Sequence, residues 1–169
     1  MNLPHSADGD SEPRDFQLVI RPAVPEDAGA IGAVFDAAVR RGWTYLGDLV
    51  EQPLFTAEHW DQLVAEHQSP NLLLVAVDRG ERVIGFTAVH PADGEMFLLF
   101  VHPKSAGAGA GRRLLEAAHA ALREAGCGEA FHARALTVYA AAGYRPDGTE
   151  RVTKFRGRRI RELRLVTRL

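Results

Sequence analysis

The segment VHPKSAGAGAGRRLLEAA, residues 101–118, constrains this chain more than any other. A β-rich run, EMFLLFV at 95–101, leads through Pro103 into a turn holding Gly107, Gly109 and Gly111, and then directly into an amphipathic helix over about 110–125. Glycines let the backbone take positive φ and approach a ligand closely, so consecutive N–H groups can converge on anionic oxygens at the positive end of the helix dipole. Arg112 and Arg113 add charge to the same place. The chain must therefore accommodate a strand, a tight turn and a helix whose N-terminus is suited to a phosphate.

Two phosphate-binding loops are excluded by spacing. A P-loop ends in Gly-Lys-Ser/Thr, where this chain has Ala110, Gly111 and Arg112. A dinucleotide fingerprint needs Gly-x-Gly-x-x-Gly after the first strand of a βαβ unit, and Gly107, Gly109 and Gly111 have neither that spacing nor that position.

The rest of the chain supplies an α/β framework. Residues 17–22 read as a first strand. A helix follows Pro25, with Ile31, Val34, Phe35, Ala38 and Val39 on one stripe and Gly42 at its end. Thr56 caps a second helix carrying Trp60, Leu63, Val64 and His67 on one face. The runs 71–77 and 82–90, separated by Asp78 to Gly80, predict an antiparallel hairpin. After the long helix, capped by Gly126, come a short extended piece, a short helix at about 133–142, and two strands at 151–155 and 159–167.

Bulk properties agree with one domain. The 169 residues are 46% hydrophobic, enough for a core without disulfides, and Cys127 is the single cysteine. Residues 1–15 are polar and acidic and read as a disordered leader before a domain at 16–169. Without an apolar run of bilayer length, a cytoplasmic protein with no membrane partner is expected. Residues 1–100 hold 6 Lys/Arg against 16 Asp/Glu, and residues 101–169 hold 14 against 6. A chain so divided offers a basic side to a polyanion and an acidic side to a cation, rather than a uniformly basic surface to nucleic acid. The histidines show no tight metal-ligand spacing, so no metal is expected.

With these segments in view, the sequence resembles the GCN5-related N-acetyltransferase (GNAT) family. The IRPAVPEDA opening, the RVIGFTAVH strand, the turn Ala106 to Gly111 and the block HARALTVYAAAGYRPDG at 132–148 carry the likeness. It implies a single-domain α/β fold, with a mixed, mostly antiparallel sheet flanked by about four helices. It also implies acetyl-CoA as cofactor and acetyl transfer to a primary amine of a small molecule or peptide; a non-catalytic acyl-CoA-binding module is the alternative. Relatives often form homodimers.

Residue by residue, the resemblance implies that Leu99, Phe100 and Val101 offer main chain to the acyl arm. Ala106, Gly107, Ala108, Gly109, Ala110, Gly111 and Arg112 would take the pyrophosphate. Tyr139 fills the position of the proton donor to the leaving thiolate. An alkylamine is almost wholly protonated near neutrality, so a base is needed; Glu95 matches the family position for one. Trp43, Tyr45 and Trp60 lie in the region that builds the acceptor groove in relatives. Two departures stand out. Ala106 replaces the usual Arg or Gln of the motif, and only Cys127 to Phe131 remain for the fifth strand, with His132 where a cofactor-contacting Asn is usual. A 15-residue helix advances about 22 Å, while five or six extended residues return at most about 20 Å. The fifth strand is thus either truncated, with the fold adapting, or short of residues that the native chain contains.

Overall fold

A computed structural model of the protein describes residues 18–67, 69–132, 143–155 and 158–169. The expected leader at 1–15 and the expected short helix at 133–142 lie outside them. The described elements are β1 (Val19–Pro22), α1 (Ala28–Gly42), α2 (Ala57–Glu66), β2 (Leu72–Val77), β3 (Val83–His90), β4 (Glu95–Val101), α3 (Ala110–Glu124), β5 (Glu129–His132), β6 (Arg145–Phe155) and β7 (Arg158–Arg168). Single 3-10 turns stand at Pro25–Asp27 and Pro103–Ser105, and a longer 3-10 segment at Thr44–Val50. Three α-helices are thus present among the described residues, against about four expected.

Seven strands form one sheet in the order β1-β2-β3-β4-β5-β7-β6. Every neighbouring pair is antiparallel except β4 and β5, which run parallel. The hairpin β2–β3 forms as its sequence requires: Asp78 accepts hydrogen bonds from the Gly80 and Arg82 N–H groups (2.9 and 3.0 Å) and closes the turn.

Helices cover both faces. On one, α1 and α2 bury Ile31, Val34, Phe35, Val39, Trp60 and Val64 against β2 and β3. The two helices touch where Gly32 meets the Trp60 ring: a Cβ at Gly32 would lie 2.7 Å from Cδ1. On the other face, α3 buries Leu114, Leu115, Ala118 and Leu122 against Ile84, Met96 and Leu99. Two departures from the sequence expectation concern strands. The last hairpin begins at Arg145, six residues before the expected 151, because Arg145 and Pro146 pair with Val166 and Leu165 and a bulge then absorbs the Pro146 to Glu150 turn signals. The expected extended piece becomes β5, a four-residue strand that includes His132.

Candidate active site

The site is organised by a mismatch between β4 and β5. Their parallel ladder has one rung among the described residues: Glu95 opposite Phe131, with the Phe131 N–H donating to the Gly94 carbonyl at 3.0 Å. Among the described residues β5 reaches His132, one residue later, and no further rung joins it to β4 toward Val101.

The phase of the β3–β4 ladder shows which main-chain groups face that opening. The His102 N–H donates to the Ile84 carbonyl at 2.8 Å, so His102, Phe100 and Leu98 turn toward β3, and Leu99 and Val101 turn their N–H and C=O groups to the open edge. Among the three residues expected to offer main chain to an acyl arm, Leu99 and Val101 are so oriented, and Phe100 is engaged with β3. Its ring packs instead on Phe35 and Phe86, at centroid distances of 4.9 and 5.7 Å. A register shift between Ala88 and Val89 leaves Phe97 as a bulge in β4. Glu95 and Phe97 consequently share the face of Leu98 and Phe100, while Met96 and Leu99 enter the core beneath α3.

At the open end of β4, Gly107 and Gly109 adopt φ of +82° and +81°. A side chain there is resisted by the backbone and not by crowding, since a Cβ at either would meet nothing within 4 Å. Gly111 differs: its φ is not positive, and a Cβ would make ordinary contact, 3.5 Å from Val101 Cγ2. The first intrahelical bond of α3 runs from the Arg113 N–H to the Gly109 carbonyl at 3.1 Å. The N–H groups of Ala110, Gly111 and Arg112 therefore have no acceptor within the helix and stand at its positive end. Gly109 makes no side-chain cap. Ala108 donates to Ser105 at 3.3 Å, Ala106 follows the Pro103–Ser105 turn in an extended conformation, and the Ala110 side chain is buried beneath the helix. Arg112 is exposed, 3.8 Å from Glu116, and is free to reorient. These N–H groups, with the open edge of β4 leading to them, form a cradle suited to a diphosphate bearing a long extended arm.

At the closed end, Glu95 lines a pocket of about 160 Å³ with Phe131, Thr149, Arg151, Glu162 and Arg164. Glu162 is buried and accepts from Arg151 Nε at 2.5 Å. Arg164 donates from Nε to Asp147 at 2.6 Å, and its guanidinium carbon lies 5.5 Å from the centroid of the Phe131 ring. That hydrogen bond, with a second from the Thr149 backbone, holds the Asp147 carboxyl down at about 2. Sequence reasoning missed Phe131, Arg151, Glu162 and Arg164. For Glu162 and Arg164 the only signal is the alternation in RRIRELRLV, which reads as a wet strand face until the strand is placed beside Glu95; Phe131 and Arg151 lie outside that run.

The other expected site residues fall as follows. Trp43 and Trp60 are 8% and 4% exposed and pack in the aromatic core around Phe35, leaving little surface for a groove. The Tyr45 side chain and all of Tyr139 lie outside the described residues. His132 is buried, 3% exposed, on the same sheet face as Ala130.

Among the described residues, no helix is long and apolar enough to cross a membrane. Residues 69–146 match the family model described as the acetyltransferase (GNAT) domain. No curated protein matches. Among solved structures, the chain is similar to a GCN5-related N-acetyltransferase from Rhodopseudomonas palustris, with 22% identity, TM-score 0.70, and 89% of this chain and 95% of that one covered. It is similar to a putative acetyltransferase from Salmonella typhimurium solved with its cofactor acetyl-CoA, at 18% identity and TM-score 0.68, covering 90% and 94% of the two chains. It is also similar to a ribosomal-protein-alanine N-acetyltransferase from Brucella melitensis, at 22% identity and TM-score 0.69, covering 89% and 99%. Residues 69–146 thus match the model of the acetyltransferase (GNAT) domain, and nearly the whole chain has the fold seen in the GNAT N-acetyltransferases.

Proposed function

We propose that the protein transfers an acetyl group from acetyl-CoA to a primary amine of a small molecule or peptide. The observation that carries this reading is the continuity of the open β4 edge at Leu99 and Val101 with the N–H cradle at Gly109 to Arg112. The first suits the amide-bearing pantetheine arm and the second the diphosphate. Each hydrogen bond to a charged oxygen contributes roughly 1.5–3 kcal/mol, so a few of them anchor the cofactor without a side chain at Ala106. The structures solved with acetyl-CoA among those of similar fold support the same reading.

Bound there, acetyl-CoA supplies an acyl thioester open to attack by an amine. The Leu99 N–H, turned to the open edge, is placed to donate to the carbonyl oxygen as charge builds on it. Glu95 has no hydrogen-bond or ion-pair partner among the described residues and stands at the narrow end of the opening. Glu95 stands four positions before Leu99 in β4, about 13 Å of strand, so it takes the ammonium proton through water. As the new C–N bond forms and the C–S bond breaks, the nitrogen sheds its second proton and the thiolate takes one up; we assign this relay to the Tyr139 phenol from its place in the sequence motif, its own proton passing to sulfur and the nitrogen's proton restoring it.

The test is thiol release from acetyl-CoA with an amine panel, on wild type, Glu95→Gln and Tyr139→Phe. Each variant is expected to lose roughly 10²–10⁴-fold in kcat with cofactor affinity unchanged. Tight binding of acetyl-CoA with no turnover of any amine would favour the non-catalytic binding module instead.

A further inference from the structure

Four large apolar side chains are exposed among the described residues, Val19, Val24, Phe97 and Val152, and of these Phe97, at 41%, is the single aromatic ring. It is also the residue that the register shift between Ala88 and Val89 leaves without a partner in β3, and a bulge of this kind re-aims a side chain. The Phe97 ring lies nearly parallel to that of His90, with centroids 5.3 Å apart and planes at 13°. His90 is held in turn: its Nε2 is 2.9 Å from Nε2 of His67, whose Nδ1 bonds to the Leu63 carbonyl at the end of α2. One face of the Phe97 ring is thus backed by a fixed neighbour. Along β4, Phe97 stands midway between Glu95 and Leu99, about 7 Å of strand from each.

We infer that Phe97 selects the acceptor, and that the acceptor is a primary amine with an aromatic ring two carbons from its nitrogen. The inference rests on the acetyltransferase reading and narrows it. The face on which Met96 and Leu99 are buried is covered by α3, so the amine comes from the face of Glu95 and Phe97. With the attacking nitrogen at the acyl carbonyl held by the Leu99 N–H, a ring two carbons further on reaches Phe97, within the about 4.5–7 Å at which aromatic rings pair. The acceptor's ring then continues the stack that His90 and Phe97 begin. Because His90 belongs to β3, the Phe97 ring leans away from the β4 edge that faces β5, and the water that carries the ammonium proton to Glu95 keeps that edge. A saturated ring offers similar apolar area without the π face, and a short alkyl chain offers less area as well, which is the physical basis of the choice.

Three amines that share an aminoethyl unit and differ beyond it test this at neutral pH: 2-phenylethylamine, 2-cyclohexylethylamine and butylamine. With acetyl-CoA, kcat/KM for 2-phenylethylamine is expected to exceed that for butylamine by about tenfold or more, and that for 2-cyclohexylethylamine by about twofold to tenfold, the range of an aromatic pair beyond its buried area. Equal or reversed order overturns the proposal. Phe97→Leu keeps apolar bulk and removes the ring, so the preference for phenyl over cyclohexyl is expected to vanish, whereas Phe97→Tyr keeps the ring and is expected to keep the preference. Persistence in the first variant, or loss in the second, overturns the role given to Phe97. Acetyl-CoA binding by calorimetry, with no amine turned over, defeats the catalytic reading separately. Saturation-transfer NMR of the same three amines with the CoA-loaded protein then decides the site: strongest transfer to the ring of 2-phenylethylamine, lost in Phe97→Leu, sustains the proposal, and any other result overturns it.

Discussion

Glu95 and Phe131 are Cα partners in the single rung that joins β4 to β5 among the described residues. This one pairing places the Phe131 ring beside the Glu95 carboxylate, which has no ion-pair partner among the described residues. Everything proposed for the site depends on β4 and β5 meeting here.

The two kinds of glycine in the turn separate conformation from space. Gly109→Val forces a β-branched residue to φ near +81° at the cradle, which costs roughly 1–2 kcal/mol. Acetyl-CoA affinity is expected to fall about tenfold or more by calorimetry as the N–H groups turn away. Gly111→Ala, with ordinary backbone and a 3.5 Å neighbour, is expected to leave affinity within about twofold and to raise stability by up to about 1 kcal/mol through helix propensity.

Asp27 ties β1 to the start of α1. It is 7% exposed and accepts from Arg21 Nη1 and Nη2 (2.6 and 2.9 Å) and from the Val24 N–H (2.9 Å). Asp27→Ala is expected to cost about 1–3 kcal/mol in urea denaturation, less than a fully buried pair because Arg21 keeps contact with water. The Arg21 bond, foremost, holds the Asp27 carboxyl below its ordinary range. The stabilisation is therefore complete above about pH 4 and disappears as pH falls through the folded value.

Two half-buried histidines make stability fall on mild acidification. His67 Nδ1 bonds to the Leu63 carbonyl (2.9 Å), which only accepts, so Nδ1 carries the hydrogen and Nε2 accepts from His90 Nε2 at 2.9 Å. His119 Nε2 lies 2.8 Å from the Tyr144 hydroxyl. Burial, before any neighbouring charge, lowers the pKa of both rings. The unfolded chain consequently binds protons at higher pH than the folded one, and stability is lost as pH drops below about 6.5. Urea denaturation at about pH 7 and about pH 5.5 should show this loss. In the His67→Gln, His119→Gln double variant the difference should shrink, and an undiminished difference would assign it elsewhere.

The contact of α1 with α2 leaves no room at Gly32. A methyl group there meets the Trp60 ring at 2.7 to 2.8 Å, and the ring is hemmed in by Phe35, Phe55 and Phe86. Gly32→Ala is expected to destabilise by about 1–3 kcal/mol despite the better helix propensity of alanine. The same substitution at Gly29, with nothing within 4 Å, should be neutral or stabilising by the same measurement.

Much of the fold is legible in the sequence because its signals are local. The stripe on α1, the Thr56 cap, the Asp78 to Gly80 turn and the glycines before α3 each act within a few residues, and each element forms where its pattern lies. The Pro146 to Gly148 turn signals misled for the opposite reason: long-range pairing of Arg145 with Val166 carries β6 through them across a bulge. Trp43 and Trp60 show a related ambiguity, since an aromatic on an amphipathic face reads alike as groove or core until its neighbours Phe35 and Phe100 are known.

By itself the sequence determined the turn before α3, because positive φ at Gly107 and Gly109 and N–H groups without an intrahelical acceptor follow from a few adjacent residues. Only the tertiary structure decided which edge of β4 faces β5, and which side chains from β5, β6 and β7 join Glu95. Those depend on strand order and on a register set between residues more than thirty positions apart, and a slip of one residue would send Phe131 and Arg164 to the other face of the sheet.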